Sequence, residues 1–150
     1  MDIRYHMLID ALDGTPRDLR RLLRPVTPQQ TTHAGADGRR LLDVLCQFAG
    51  TESRARSQFE LVLSQDKPKI PTLESFAGDY ESASAAIDAF AAERTLTTAL
   101  LAGITQPHWL RTATLTNFGP LRLRALVERL IARDNAQLAL IVDMRESLSQ

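Results

Sequence analysis

The sequence is short of cysteine, of aromatic residues and of excess charge of either sign. Cys46 is the only cysteine in 150 residues, so no disulfide can form within the chain. The 18 basic and 18 acidic side chains cancel, which argues against a dedicated binder of nucleic acid or of an anionic membrane surface. No apolar run approaches the ~20 residues of a membrane span, and the N-terminus lacks the basic-then-apolar pattern of a signal peptide. We therefore expect a cytoplasmic protein that binds neither nucleic acid nor membranes.

Strand signals are also scarce, whereas helix signals recur along the whole chain. Aromatic residues make up 5% of the sequence, and no segment alternates between apolar and polar residues with a period of two. Apolar residues instead recur every three or four positions, which is the spacing of one helical face. A hydrophobic content of 44% in 150 residues suffices for one ordinary core, so we predict an all-α protein with a single domain over residues 1–150.

Proline and glycine divide the helical pattern into the four helices of a bundle and one short extra helix. The first helix is expected over about residues 3–12, ended by Asp13-Gly14, and a short helix capped by Thr15 follows it as far as Pro25. The second, third and fourth helices of the bundle are expected over about residues 39–64, 77–102 and 120–148.

Three further positions refine this division. Gly50 interrupts the second helix at a cost of ~1 kcal/mol relative to alanine, which predicts close packing at that point. Pro120 is expected to open the fourth helix, because proline suits the first helical position. Residues 105–119, which precede it, are expected to form a long irregular loop.

The connection between the second and third helices decides the topology. At ~1.5 Å per residue the second helix is roughly 40 Å long, and about a dozen extended residues at ~3.3 Å each can cross back along it. A tight hairpin would need only a few residues. We therefore favour a four-helix bundle with a crossover connection that makes these two helices parallel. A plain up-down-up-down bundle is the alternative.

The fourth helix carries two polar residues in the middle of its apolar stripe. The stripe consists of Leu126, Leu130, Arg133, Gln137, Ile141, Met144 and Leu148. Burying a guanidinium or an amide without a partner is costly, so a bundle core rarely holds two of them by accident. Arg133 and Gln137, one turn apart, therefore indicate a binding site.

Several stretches of the chain resemble the DinB-like (DinB/YfiT) superfamily of bacterial four-helix-bundle proteins. Residues 41–52, LLDVLCQFAGTE, resemble its helix-two signature, which ends His-Leu-Ala-Asp-x-Glu, and residues 130–138, LIARDNAQL, resemble its helix-four signature, His-Asp-x-x-His-Leu. Residues 109–111 and 119–121 are similar to its tryptophan-arginine and glycine-leucine stretches, and residues 90–94 to its helix-three Phe-x-x-x-Arg. The resemblance implies the four-helix bundle of this superfamily over nearly the whole chain.

The same resemblance implies a metal centre whose ligands have been replaced. In the superfamily, one histidine of helix two and two of helix four bind a divalent metal, usually zinc or nickel, and the better-understood members are thiol-dependent transferases or isomerases. Gln47, Arg133 and Gln137 stand at the three ligand positions of this chain, while Glu52 and Asp134 of the signatures persist. Glutamine is a poor ligand for these metals and arginine repels a cation, so we expect no metal cofactor.

Two interpretations of these residues remain open. In the favoured one, Arg133 pairs with Glu52 or Asp134 in an internal hydrogen-bond network, and Glu52 is the better placed partner because it lies on another helix. In the other, Arg133 holds an anion that the amides of Gln47 and Gln137 orient. Trp109 is expected to close one end of the bundle or to form a wall of the site.

Three functions follow as hypotheses. The first is a protein that binds a small molecule, anionic or neutral, or a partner, without metal-dependent catalysis. The second is a thiol-dependent transferase or hydrolase that uses Arg133 and the neighbouring amides on an anionic substrate. The third is a structural homodimer. A homodimer is expected because the third helix has a side rich in small residues, namely Ala85, Ala89, Ala92 and Ala99. The alternative is that these alanines only pack inside the monomer.

Overall fold

Four long helices form most of the protein, whose structure is a computed structural model that describes residues 1–148. The helices are α1 (Ile3–Leu23), α2 (Pro28–Thr32), α3 (Leu41–Ser64), α4 (Ala83–Ala102) and α5 (Leu123–Ser147), with a 3-10 helix over Gln106–Leu110. The strands are β1 (Lys69–Ile70), β2 (Thr112–Leu115) and β3 (Gly119–Arg122). No helix within residues 1–148 is long and apolar enough to cross a membrane. The four long helices α1, α3, α4 and α5 pack on one another, which confirms the predicted four-helix bundle.

The segment between α3 and α4 runs back along α3, as a series of hydrogen bonds shows. From the end of α3 towards its start, the bonded pairs are Gln58 with Pro71, Thr51 with Phe76, and Cys46 with Gly78. After this crossover, α4 runs in the same direction as α3, since the contacts advance together along both helices. These contacts are Phe48 with Phe90 and Glu52 with Arg94. The predicted crossover is confirmed, and the up-down-up-down alternative is wrong.

Gly50 allows the crossover backbone to lie directly against α3. A Cβ atom at this position would be 2.3 Å from the carbonyl oxygen of Phe76 and 2.5 Å from the amide nitrogen of Gly78. No side chain fits into such a space. The close packing predicted from Gly50 is confirmed.

The first helix continues through Asp13-Gly14, so the prediction of two separate helices was wrong. Pro16 lies inside α1 and lacks the N–H that would bond to the carbonyl of Leu12. That carbonyl instead accepts a hydrogen bond from Nη1 of Arg94 at 2.9 Å. A side chain from α4 thus replaces the backbone bond that Pro16 removes, and the helix is not interrupted.

Residues 105–119 are more ordered than the sequence indicated. They contain the 3-10 helix and β2, and β2 pairs antiparallel with β3 and parallel with β1. Pro120 lies in the edge strand β3, where proline is tolerated, and not at the start of a helix. The last long helix begins only at Leu123. Likewise α4 begins at Ala83, not near residue 77, because Ser82 caps it by accepting a hydrogen bond from the Ala85 amide at 3.1 Å.

A layer of buried polar residues separates two apolar clusters of the core. One cluster surrounds Trp109 and includes Phe59 of α3 and Leu126 of α5. The other surrounds Phe48 and Phe90 at the opposite end of the bundle. Between them each long helix contributes one member of a hydrogen-bonded group of buried polar side chains, and these four are Thr15, Glu52, Arg94 and Asp134.

Candidate functional site

Arg94 is the centre of the buried polar layer. Its Nε and Nη2 donate to the carboxylate of Glu52 at 2.7 and 2.9 Å. Its Nη1 and Nη2 donate to the carboxylate of Asp134 at 2.7 and 3.0 Å, and Nη1 also donates to the Leu12 carbonyl. Thr15 Oγ1 donates to Asp134 at 2.8 Å. The five N–H groups of the guanidinium therefore all have acceptors, and the layer joins α1, α3, α4 and α5.

Full burial of these charges is compensated by their mutual hydrogen bonds. Arg94 is 1% exposed and Glu52 is 2% exposed. Burial by itself lowers the pKa of Arg94, but hydrogen bonds to Asp134 and Glu52 outweigh it and raise that pKa above its ordinary value. Both carboxylates thus form ion pairs with the same guanidinium, which stays charged. The signature residues Glu52 and Asp134 have a structural partner and are not free to bind a metal or Arg133.

The expected pairing of Arg133 with Glu52 is therefore wrong. Arg133 is only partly buried, and its Nη2 donates to the hydroxyl oxygen of Ser75 on the crossover. The next residue, Asp134, is the one that faces the bundle interior, where it is 3% exposed. The apolar stripe of the sequence places Arg133 in the core, whereas α5 turns Asp134 inwards because Arg94 attracts its carboxylate.

Five of the six predicted site residues line one narrow cleft between α3 and α5. These residues are Gln47, Glu52, Arg133, Asp134 and Gln137. The free space between them is only about 10 Å³, which is about what a single water molecule needs. These five residues therefore lie together, and the cleft they form is too small for an organic ligand.

The residues at the three positions that the DinB-like resemblance aligns with metal ligands do not fit zinc or nickel. Gln47 and Gln137 offer only neutral amides, and Arg133 brings a positive charge and donor groups alone. Both carboxylates of the cleft are held by Arg94. Within residues 1–148 there is no group of three or more His, Cys, Asp or Glu side chains that suits a metal ion.

Trp109 lies away from this cleft. Its side chain is fully buried and stacks on Tyr5, with ring centroids 4.7 Å apart and planes 4° from parallel. The indole packs in the apolar cluster beneath the 3-10 helix, and its Nε1 has no hydrogen-bond partner among the described residues. Trp109 therefore closes one end of the bundle and forms no wall of the cleft.

A larger pocket adjoins the cleft and was not anticipated from the sequence. It has a volume of about 370 Å³ and lies between α3, α5, β2 and the crossover. Leu130 and Arg133 line both the cleft and this pocket, whereas Gln58 and Arg129 line the pocket alone. The sequence did indicate that Arg129 lies near Arg133, because the two are one helical turn apart. Nothing in the sequence indicated that the crossover would cover this part of α5.

Arg94 was also missing from the predicted site. The sequence did contain its signal, because Arg94 follows Phe90 by four residues and precedes Leu101 by seven, on the stripe that is buried in α4. A charged residue on the apolar stripe of a helix needs a partner inside the bundle, and this argument applies to Arg94 on α4 as it did to Arg133 on α5. In the structure it is Arg94 that is buried and paired.

No protein-family model and no curated protein matches the sequence. Among solved structures the chain is similar to YfiT from Bacillus subtilis, with a TM-score of 0.82 and 15% sequence identity, over 99% of this chain and 90% of that chain. The chain has the YfiT fold. YfiT is described as a probable metal-dependent hydrolase with an unusual four-helix bundle topology. At this identity the likeness shows the fold alone, and it agrees with the DinB-like resemblance and with the crossover.

Proposed function

We propose that the protein binds a small organic anion with an apolar tail, without a metal, in the pocket between α3, α5 and the crossover. The observation that carries this proposal is the combination of apolar walls with two arginines in one pocket of about 370 Å³. Pockets for small molecules in proteins have volumes of about 300–1,000 Å³ and a few polar groups in a mainly apolar lining.

The lining of the pocket combines apolar walls with a few polar groups. The apolar walls are formed by Phe59, Leu73, Leu115, Leu126 and Leu130. Gln58 is buried, and its Nε2 donates to the Pro71 carbonyl at 2.7 Å, which fixes the orientation of the amide. Arg133 and Arg129 stand on successive turns of α5 beside Leu126 and Leu130. The tail of the ligand would pack on the leucines while its anionic head meets the arginines.

The charges around the pocket favour an anion. Arg94 pairs with both Glu52 and Asp134, so the buried layer keeps one net negative charge, whereas the lining of the pocket holds two arginines and no carboxylate. The present partner of Arg133 is the uncharged hydroxyl of Ser75. A carboxylate can accept two parallel hydrogen bonds from one guanidinium, which makes it a stronger partner than a serine hydroxyl.

A titration with straight-chain carboxylates of increasing length tests the proposal. We expect saturable binding by calorimetry or NMR that tightens with chain length, and much weaker binding of the matched alcohols. Arg133→Gln should weaken carboxylate binding by about tenfold or more, since hydrogen bonds to charged groups contribute about 1.5–3 kcal/mol. Arg122→Gln, on the exposed face of β3, is the matched control. The proposal would be refuted if acids and alcohols bound with equal affinity, or if Arg133→Gln bound the carboxylate as tightly as the wild type.

A thiol-dependent transferase or hydrolase has less support. The cleft at Gln47 and Gln137 has space for about one water, not for a thiol cofactor. Cys46 is buried beside Gln47, and this burial raises the pKa of its thiol, so the reactive thiolate is disfavoured. Activity of this kind would therefore have to use the larger pocket and a nucleophile supplied by the substrate.

A further inference from the structure

Four exposed arginines of α1 and its C-cap line a groove between α1 and α4, on the side of the bundle opposite to the cleft, and the buried Arg94 lies at the base of its lining. They are Arg17, Arg20, Arg21 and Arg24, and we call this surface the arginine groove. The spacing of three and four residues places them on one face of α1. The groove has a volume of about 520 Å³, and Ala91 and Thr95 of α4 form its other wall.

The arginine groove concentrates positive charge in a chain whose net charge is zero. Arg20 contacts Asp88 at 2.9 Å and Arg21 contacts Asp18 at 3.9 Å, but all four side chains of these pairs are largely exposed to solvent. Such exposed pairs are weak and exchange readily with another anion. Arg17 and Arg24 have no ion pair with any residue in the described part of the chain.

Helix stability accounts for only part of this charge. Arg20 and Arg21 lie in the last turn of α1 and Arg24 is its C-cap residue, where the partial negative charge of the helix end favours cations. Arg17 is one turn further from that end, and the effect of the helix dipole fades within the last turn. Like charges three and four residues apart repel one another. Arg17 therefore adds repulsion without a compensating ion pair among residues 1–148.

The arginine groove continues into a second cavity with a different lining. Arg20 and Arg24 also border a space of about 470 Å³ between the end of α1, α2 and the start of α4. Leu23, Val26 and Ile87 give this space an apolar surface. Its remaining lining includes the hydroxyl-bearing residues Thr31, Thr32, Ser82 and Ser84. A cationic strip and an apolar recess with hydroxyl groups are thus contiguous.

We infer that this surface binds a nucleoside triphosphate or a similar compact polyphosphate. The phosphates contact Arg17, Arg20, Arg21 and Arg24, whose guanidinium groups match phosphate oxygens in pairs of hydrogen bonds. The base and the sugar enter the apolar recess at Leu23 and Ile87. This site is separate from the carboxylate pocket on the other side of the bundle and does not depend on it.

The length of the surface favours a compact ligand over a nucleic-acid strand. The seven-residue step from Arg17 to Arg24 advances about 10 Å along α1. Asp13 borders the arginine groove at one end, and Glu81 borders the recess at the other. These carboxylates repel a polyanion that extends beyond the arginines. A short chain of phosphates avoids both.

Calorimetry of the full-length protein at low and at physiological salt tests the inference, with inorganic triphosphate, ATP and adenosine as probes. We expect one binding site per chain, with an affinity for ATP at least about tenfold higher than that for triphosphate and a very low affinity for adenosine. The affinities for both anions should fall at higher salt. The double variant Arg17→Gln/Arg24→Gln should lower the affinity for both anions by more than about tenfold. Because these arginines are exposed, we expect the variant to keep the wild-type circular dichroism and melting temperature.

The variant Arg4→Gln/Arg122→Gln removes the same charge from other exposed positions and is the matched control. It should bind ATP as the wild type does. Equal losses in the two double variants would show non-specific attraction and overturn the inference, as would the absence of binding. Equal affinity for ATP and triphosphate would overturn the assignment of the recess to the nucleoside. If single-stranded DNA bound more tightly than ATP, the inference of a compact ligand would be wrong and the surface would be one that binds nucleic acid.

Discussion

At the scale of single residues, Arg94 of α4 and Arg133 of α5 show how differently two arginines of one bundle can be used. Arg94 is 1% exposed, and it is the cation that pairs with two buried carboxylates and the donor to the Leu12 carbonyl. Arg133 is partly exposed and donates to the neutral hydroxyl of Ser75. The first is a structural element of the core, whereas the second is available to a ligand.

The two arginines therefore predict opposite results for the same substitution. Arg94→Met should lower the free energy of unfolding by about 3–5 kcal/mol, because it leaves the charges of Glu52 and Asp134 buried and unpaired. Arg133→Met, the matched control, should change it by less than about 1 kcal/mol. Urea unfolding of both variants measures the difference. A loss at Arg133 as large as that at Arg94 would contradict the assigned roles.

Metal content is a second prediction at this scale. Protein purified without a histidine tag should contain no stoichiometric zinc or nickel, because Gln47, Arg133 and Gln137 make a poor ligand set. The triple variant Gln47→His/Arg133→His/Gln137→His should gain affinity for zinc, since the three positions converge on one cleft. Metal mass spectrometry gives the readout, with Arg133→His alone as the control. One equivalent of zinc in the wild type, lost on changing Gln47 or Gln137, would contradict this prediction.

At the scale of helices and strands, the sequence predicted those elements that local pattern determines. The boundaries of α3 were predicted from the spacing of its apolar residues. The crossover was predicted from the length of the loop after it. The continuity of α1 could not be foreseen, because the carbonyl left free by Pro16 is satisfied by Arg94, 82 residues away from Leu12. The strands of two to four residues are too short to show alternation, and β1 pairs with a strand more than 40 residues later in the chain.

Gly50 and Gly14 give a matched test of helix packing. Gly50→Ala should destabilise the protein by about 1–3 kcal/mol, because the new methyl group collides with the crossover backbone at Phe76 and Gly78. Gly14→Ala meets only the movable end of the Arg17 side chain, at 3.2 Å, and should be neutral or stabilise by up to about 1 kcal/mol through helix propensity. Thermal unfolding distinguishes the two. A stabilising Gly50→Ala would show that the crossover does not pack tightly on α3.

At the scale of the whole molecule, the arrangement of the cleft could be predicted only in part. The helix signatures brought Gln47, Glu52 and Gln137 to one place, because a bundle aligns the middles of its helices. The identity of the partners did not follow, since it depends on which side chain of α5 turns inwards. The larger pocket depends on the path of the crossover over α3 and α5, and this path is set by contacts such as Thr51 with Phe76.

The outer face of α4 carries an apolar seam that is mostly exposed, and of its members only Ala89 is partly buried against the core of the described chain. Its members are Ala85, Ala89, Ala92, Leu96 and Ala99, with alternating steps of four and three residues. Ala85, Ala92 and Ala99 are exposed, and Leu96 is 54% exposed, so packing inside the monomer does not explain these alanines. Steps that average three and a half residues are typical of helices that pair along their length, and small side chains allow a close approach.

We therefore predict a two-fold symmetric homodimer in which the α4 seams of two chains face each other. Because Leu96 is the largest side chain of the seam, Leu96→Glu should place two like charges at the contact and shift the protein to monomers. Glu93→Gln, on the same helix but outside the seam, is the control. Light scattering at tens of micromolar should give twice the mass of one chain for the wild type and the control, and the monomer mass for Leu96→Glu. A wild type with the mass of a single chain would remove the dimer and, with it, a purely structural role for the protein.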